Sequence, residues 1–213
     1  NFFEKSKIEK LEAAIKSNIK YYMKRNDLEI EKDFHDYGII KLNQIRKQKD
    51  QFDSIQVIYN TIRKLPEFQQ IISDEKLIGV VKDLADINQF NKDGSPYIWE
   101  GFIRIDPPKD NTYELKWHQE SYFTLPNSNA VQLWAPIINE VKMEETGTIS
   151  AIKNSTRLGE LPHSIVRQND NYVSESITDE KIKNKNLSVI NFSLKPGDVV
   201  LFHQHLIHKT FPN

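Results

Sequence analysis

Two short stretches hold the residues of this chain whose types and spacing could do chemistry together. His118 and Glu120 flank Gln119 in the run Trp117-His118-Gln119-Glu120-Ser121, and about ninety residues later Phe202-His203-Gln204-His205-Leu206-Ile207-His208 carries three histidines. If residues 113–123 form a strand, the period-two alternation aims His118 and Glu120 at one face and turns Gln119 away. A short rigid element would then present one imidazole nitrogen and one hard carboxylate oxygen. One later histidine would complete two imidazoles and a carboxylate, which leaves three positions of an octahedral metal open, as in non-haem Fe(II) sites. Alone, a His-x-Glu pair is a common surface feature, because most such side chains are exposed. The second stretch gives the pair its weight. On a strand His203 and His205 would share a face, so spacing leaves His203, His205 and His208 all open as the third ligand.

The elements that must position these residues change texture near residue 96. Before it the pattern is helical. Residues 4–25 place Ile8, Leu11, Ala14 or Ile15, Ile19 and Tyr22 on one stripe, with lysines and glutamates interleaved on a solvated opposite face. Phe34 to Leu42 reads as a helix end stopping at Gly38, followed by a short strand, with His35 structural. Residues 51–85 are helical again: Phe52, Ile55, Ile58, Ile62 and Leu65 share a face, Pro66 breaks it, and Leu77, Val80, Val81 and Leu84 form a second.

From residue 96 onward short β-type runs take over at 97–105, 113–123, 130–138, 148–152, 187–192 and 198–202. Breakers separate them, at Pro107-Pro108, Pro126 to Asn129, Glu145-Thr146-Gly147 and Lys195-Pro196-Gly197-Asp198. Short strands without long intervening helices predict an antiparallel sandwich or barrel, and a jelly roll is the version whose interior holds a metal. The polar stretch 165–186 reads as an irregular excursion beside the site mouth. We therefore expect a mostly helical part over 1–95 packing on a β core over 96–213.

Composition excludes several classes of function. The formal net charge is −1, from 29 basic and 30 acidic side chains, so no one-signed field is available for nucleic acid or a membrane surface. Cysteine is absent, which removes disulfides, thiolate ligands and a cysteine nucleophile and is compatible with a cytoplasmic setting. No run approaches the roughly 18 apolar residues of a membrane span, and the start lacks the apolar core of a signal peptide. Neither a Walker-type nor a dinucleotide-type glycine loop occurs. The lack of an initiator Met before Asn1 and the abrupt stop at Asn213 lead us to expect that the protein continues at both ends.

The order of WHQE (117–120), QLWAPI (132–137), TISAIKNSTRLG (148–159) and KPGDVVLFHQHLIHKTFPN (195–213) resembles the phytanoyl-CoA dioxygenase family of Fe(II)- and 2-oxoglutarate-dependent oxygenases. The likeness spans roughly residues 97–213, and its specific part is the His-x-acid pair combined with the C-terminal run. It implies a double-stranded β-helix, the cupin-like jelly roll. Carried onto this chain, it implies a metal triad of His118, Glu120 and His208, the last picked out by the His-x-(Ser/Thr)-x-x-Asn form of His208 to Asn213. His203 and His205 then become core groups or groups that orient ligands.

By the same resemblance Trp134 and Thr210 help to hold 2-oxoglutarate, and an arginine beyond Asn213 would take its distal carboxylate through a bidentate fork. The reaction implied is hydroxylation of a small-molecule substrate by dioxygen, coupled to decarboxylation of 2-oxoglutarate. Two departures from the pattern matter. Glu120 stands where the family usually has Asp, so its backbone must sit slightly retracted. Lys153-Asn154-Ser155-Thr156 replaces the common Pro-Gly-Ser-His, which weakens the case for an acyl-CoA substrate and leaves Arg157 and His163 as unassigned polar candidates at the mouth. Polar residues near that mouth favour a small polar substrate. A metal-binding jelly roll with isomerase or hydrolase activity, or a purely ligand-binding domain, is the competing reading.

Overall fold

Apolar residues at steps of three and four make the first described element. Ile8, Leu11, Ile15, Ile19 and Met23 are the buried stripe of α1 (Lys5–Arg25). The computed structural model describes residues 1–25, 52–84, 98, 101–106, 114–122, 129–143, 145–169, 172–178, 182 and 187–211. The expected helix end and strand over 34–42, with His35, lie outside them.

Three further helices follow, α2 (Phe52–Ile62), α3 (Pro66–Ile72) and α4 (Glu75–Leu84). Pro66 both ends one helical run and begins the next. Leu65 before it is extended, at φ −59° and ψ 138°, and the proline's fixed φ and missing N–H suit a first helical position. The second predicted face is only partly buried: Leu77 is inside, whereas Leu84 is 55 % exposed. Asp74 caps α4, its Oδ1 accepting from Lys76 N at 3.0 Å and Leu77 N at 3.4 Å. Its Oδ2 accepts from Lys7 Nζ at 2.6 Å and so ties α4 to α1. No helix among the described residues is long and apolar enough to cross a membrane.

The β part holds β1 (Val131–Trp134), β2 (Ile149–Ile152), β3 (Ser164–Asn169), β4 (Tyr172–Ser176), β5 (Val189–Asn191), β6 (Val200–His203) and β7 (His208–Thr210). They form antiparallel sheets ordered β1-β6, β5-β2-β7 and β3-β4. The turn 204–207 carries the chain from the first sheet to the second. The described residues do not close a barrel, so the expected jelly roll is observed here as separate small sheets with a helical layer.

Three strand expectations are corrected. Residues 101–105 of the expected strand 97–105 join no ladder. The run 113–123 is not a strand: among its described residues His118 alone forms a bridge, opposite His208, and Glu120–Tyr122 is a 3-10 turn. The stretch 165–186 is not irregular throughout, because Ser164–Asn169 and Tyr172–Ser176 pair as the β3-β4 hairpin, where Ile165, Val166 and Val173 are residue types that suit strands.

Two apolar clusters result. The larger joins α1 to α4 with Phe3 and packs on Ile103, Ile105, Ile137, Ile138, Val199 and Leu201, which seats the helices against the β1-β6 ribbon. The smaller centres on Ile152, Ile177 and Ile207. In the turn before β6, Gly197 has φ +93°, and its carbonyl accepts from both Phe2 N and Phe3 N at 2.6 and 2.9 Å. A Cβ there would strain the backbone and meet Phe3 O at 3.3 Å.

Replacing Asp74 by Ala should cost about 1 kcal/mol of stability through the lost cap. The Lys7 hydrogen bond holds the Asp74 carboxyl below its ordinary value of 3.8. A depressed folded-state pKa gives stability that is present above pH 3.8 and lost as the pH falls below it. Asp74→Asn keeps the cap, so it should reduce this acid-side dependence while costing less than Asp74→Ala, as measured by urea unfolding across pH 3 to 7.

Candidate metal centre

The centre is built where two segments touch at one residue pair. His118 N donates to His208 O at 2.9 Å and His208 N donates to His118 O at 3.0 Å, a reciprocal antiparallel bridge at the start of β7. Two residues further along β7 the register slips. Thr210 N donates to Leu115 O at 3.0 Å, and the Thr210 hydroxyl accepts from Leu115 N at 2.8 Å, where an unbroken ladder would place Lys116. The slip takes Lys116 out of the ladder. Its carbonyl instead accepts from His118 Nδ1 at 2.7 Å.

His208 is held in the same way, with Nδ1 2.7 to 3.2 Å from a carbonyl in the usual hydrogen-bond range and here 3.0 Å from Leu206 O. With both Nδ1–H groups committed to backbone carbonyls, both Nε2 atoms face Glu120, where each can hold a proton toward the carboxylate or, without that proton, offer a lone pair to a cation. The two rings lie 4.2 Å apart at 50°. Glu120 Oε1 sits 3.4 Å from His118 Nε2 and 3.5 Å from His208 Nε2. Among the described residues, His118, Glu120 and His208 form the group whose donor atoms all fall within 4.8 Å of one another. Two ligands about 2.1 Å from a metal and at right angles are about 3 Å apart, so small side-chain movements would bring these atoms onto one ion.

The electrostatics suit a cation. Burial would push the Glu120 carboxyl up, but hydrogen bonding to the His118 and His208 rings, together with their charge, holds it at about 2. Burial lowers His208 below the ordinary imidazole value, with Glu120 opposing. Near neutral pH the site is an ionised carboxylate facing a neutral His208 imidazole, the protonation states that metal ligands need.

The predicted convergence of His118 and Glu120 is therefore present, although not by strand alternation. Glu120 reaches the histidines from a 3-10 turn. His203 and His205 stand apart from the triad. Their rings pack edge to face at 4.8 Å, His203 Nε2 lies 3.0 Å from Asn129 Oδ1, and His203 Nδ1 accepts from His205 N at 3.1 Å.

Trp134 ends β1 opposite Val200, on the same ribbon face as Gln132 and Phe202, and the Phe202 ring lies 4.6 Å from that of His208. Thr210 shares a face of β7 with His208 and is buried. Arg157 is exposed at the end of the 3-10 turn Ser155–Leu158. His163 turns inward, its Nε2 accepting from Gln119 N at 3.0 Å. Gln119 turns from the side chains of His118 and Glu120 as expected, but into the protein, where it is 0 % exposed. Only its place between two ligands could have marked it in the sequence. A second feature not foreseen is Lys209, whose Nζ lies 4.9 Å over Trp117 and 4.2 Å over Phe211, clamping the outer side of the bridge.

The sequence model of the phytanoyl-CoA dioxygenase (PhyH) family matches residues 1–213. The chain belongs to that family. Within this PhyH-family chain the match covers the helical part as well as the segments that carry the triad. A similar solved structure is the crystal structure of EvdO2 from Micromonospora carbonacea var. aurantiaca complexed with 2-oxoglutarate, at 16 % identity and a TM-score of 0.45. The alignment covers 72 % of this chain and 56 % of that one, so this chain spans little more than half of EvdO2.

His118→Ala and His208→Ala should each abolish the tightly bound metal measured by elemental analysis of the purified protein, where the parent chain carries one ion. Unchanged metal content in both variants would refute the triad.

Proposed function

We propose that this PhyH-family protein is an Fe(II)- and 2-oxoglutarate-dependent dioxygenase that hydroxylates a small polar substrate. The observation that carries the proposal is the convergence of His118 Nε2, His208 Nε2 and Glu120 Oε1 at 3.4 to 3.5 Å, with both Nδ1 atoms tied to carbonyls. Two imidazoles and a carboxylate also hold catalytic zinc in hydrolases. Membership of the family is what favours Fe(II) here.

When bound, Fe(II) would supply activation of dioxygen coupled to decarboxylation of 2-oxoglutarate to succinate. The chain's own residues hold and orient. His118, Glu120 and His208 would hold the metal and leave coordination positions for small molecules. Thr210 is the candidate to bind the cosubstrate, because its oxygen accepts from Leu115 N, which leaves its O–H directed elsewhere among the described residues. Trp134 would flank the cosubstrate from the ribbon face that also carries Phe202, and Phe202 covers one side of the His208 ring. With Glu120 in its ligand position, no place is vacated for a halide, which favours hydroxylation over halogenation.

The substrate assignment rests on the loop that follows β2. Lys153, Asn154 and Arg157 are exposed there, and a site for a long acyl chain calls instead for apolar and aromatic walls. A cytoplasmic setting, in keeping with the cysteine-free composition, belongs to the same reading.

Anaerobic titration of the Fe(II) protein with 2-oxoglutarate should raise a weak visible charge-transfer band, and Thr210→Val should weaken the titration several-fold. No band at saturating 2-oxoglutarate would overturn the cosubstrate. For the substrate, succinate release should be stimulated by members of a panel of amino acids, sugars and nucleotide conjugates; stimulation by a long-chain acyl-CoA alone would show the polar reading to be wrong.

A further inference from the structure

Gln119 is the residue between two ligands, and its side chain is bonded at every polar position. Its Nε2 donates to Gly159 O at 2.8 Å and to His205 O at 2.7 Å, and its Oε1 accepts from Leu161 N at 2.7 Å. Its backbone N–H donates to His163 Nε2 at 3.0 Å, and His163 Nδ1 donates to Leu161 O at 2.8 Å. These bonds close a ring through Gln119, Leu161 and His163, and reach across to the 204–206 turn. Gly159, at φ 65° and ψ −159°, holds a conformation open almost only to glycine, and its carbonyl is one of the two acceptors to which the amide N–H groups of Gln119 donate. The residue on the other side of Glu120 is pinned as well, because Ser121 N donates to Gln204 O at 3.2 Å.

Glu120 is thus suspended between two anchored neighbours. From that backbone its carboxylate reaches 3.4 Å from one histidine and 3.5 Å from the other. Removing one methylene would withdraw the oxygen by about one carbon–carbon bond, roughly 1.5 Å, and the anchors prevent the backbone from following. We infer that Gln119 is a positioning residue whose clamp on the 159–163 loop and the 204–206 turn sets the backbone at the distance a glutamate needs, which makes the site specific for Glu120 over an aspartate. The inference rests on the metal centre proposed above and concerns how its geometry is held.

The experiment is a double-mutant cycle read as Co(II) affinity by the visible bands of the bound ion, with thermal melts recorded alongside. In the parent chain Glu120→Asp should weaken Co(II) binding about 10- to 100-fold, and Gln119→Ala should do the same, the usual range for residues that orient ligands. In the Gln119→Ala background Glu120→Asp should cost several-fold less than in the parent, because an unpinned backbone lets the shorter acid approach. A merely structural role would lower the melting temperature and leave the two effects on affinity additive. His163→Phe releases the Gln119 N–H without deleting the amide and gives a second cycle, in which a smaller loss with the same sub-additivity is expected if Gln119→Ala does not fold. Additive effects, or unchanged Co(II) affinity in both backgrounds, would overturn the inference while leaving the metal centre standing. A parent chain that binds no Co(II) would overturn the centre and the inference together.

Discussion

Two backbone hydrogen bonds, exchanged between His118 and His208, join segments that lie far apart in the chain. Everything at the centre depends on that pair. It sets the two imidazoles 4.2 Å apart, and the register slip beside it frees the Lys116 carbonyl to orient the first ring. A continuous ladder would have stabilised the sheet more, with one further regular pair, but it would have occupied the carbonyl that fixes the His118 tautomer. Here ladder regularity is given up at the position where ring orientation is needed, which is the usual place for a bulge.

Apolar packing and hydrogen bonding divide the work around this pair. Behind it, Ile152, Ile177 and Ile207 are buried with Trp117, Leu158 and Leu161 packed against them. Full burial of one such side chain contributes about 1.5 to 3 kcal/mol, against about 1 kcal/mol for a typical hydrogen bond. The cluster therefore supplies the larger share of the energy that holds the segments together, and it is indifferent to angle. Direction comes from the weaker bonds: Ile207 N to the Ser155 hydroxyl at 2.8 Å, Ile152 N to Ile207 O at 2.9 Å, and the ring of bonds around Gln119. The helices contribute at one remove, through the larger cluster that backs β1 and β6.

The helices were legible because amphipathic spacing is a local signal: Ile8, Leu11, Ile15 and Ile19 fall on the buried stripe of α1 as read from the sequence. Several strands were legible as apolar runs between breakers: β1, β2 and β5 lie within the predicted segments, and β6 runs one residue past its own. What failed was the inference from a two-residue spacing to a strand at 113–123. Spacing reports which side chains could share a face, whereas the path of Gln119 to Ser121 is set by partners about 40 and 85 residues away in sequence, at Gly159, Leu161 and His205. The choice among His203, His205 and His208 had the same character. All three fall within a few residues, and only the sheet partner of each decides which ring meets Glu120. The β3-β4 hairpin was missed because its strands carry many polar residues between few apolar ones.

The electrostatic consequence of the arrangement follows from how the rings are held. His118 and His208 each curl back on the carbonyl two residues earlier, at 2.7 and 3.0 Å. A ring so bonded can face Glu120 with a second N–H only as an imidazolium, and burial disfavours that charge on His208. The Glu120 carboxylate, held at about 2, is ionised at any pH where the protein would work. One half-buried negative charge thus faces two ring nitrogens, and a proton can satisfy that set only by charging a ring in a partly desolvated place. A divalent cation satisfies all three donors at once and repays the desolvation of the carboxylate through a larger Coulomb term.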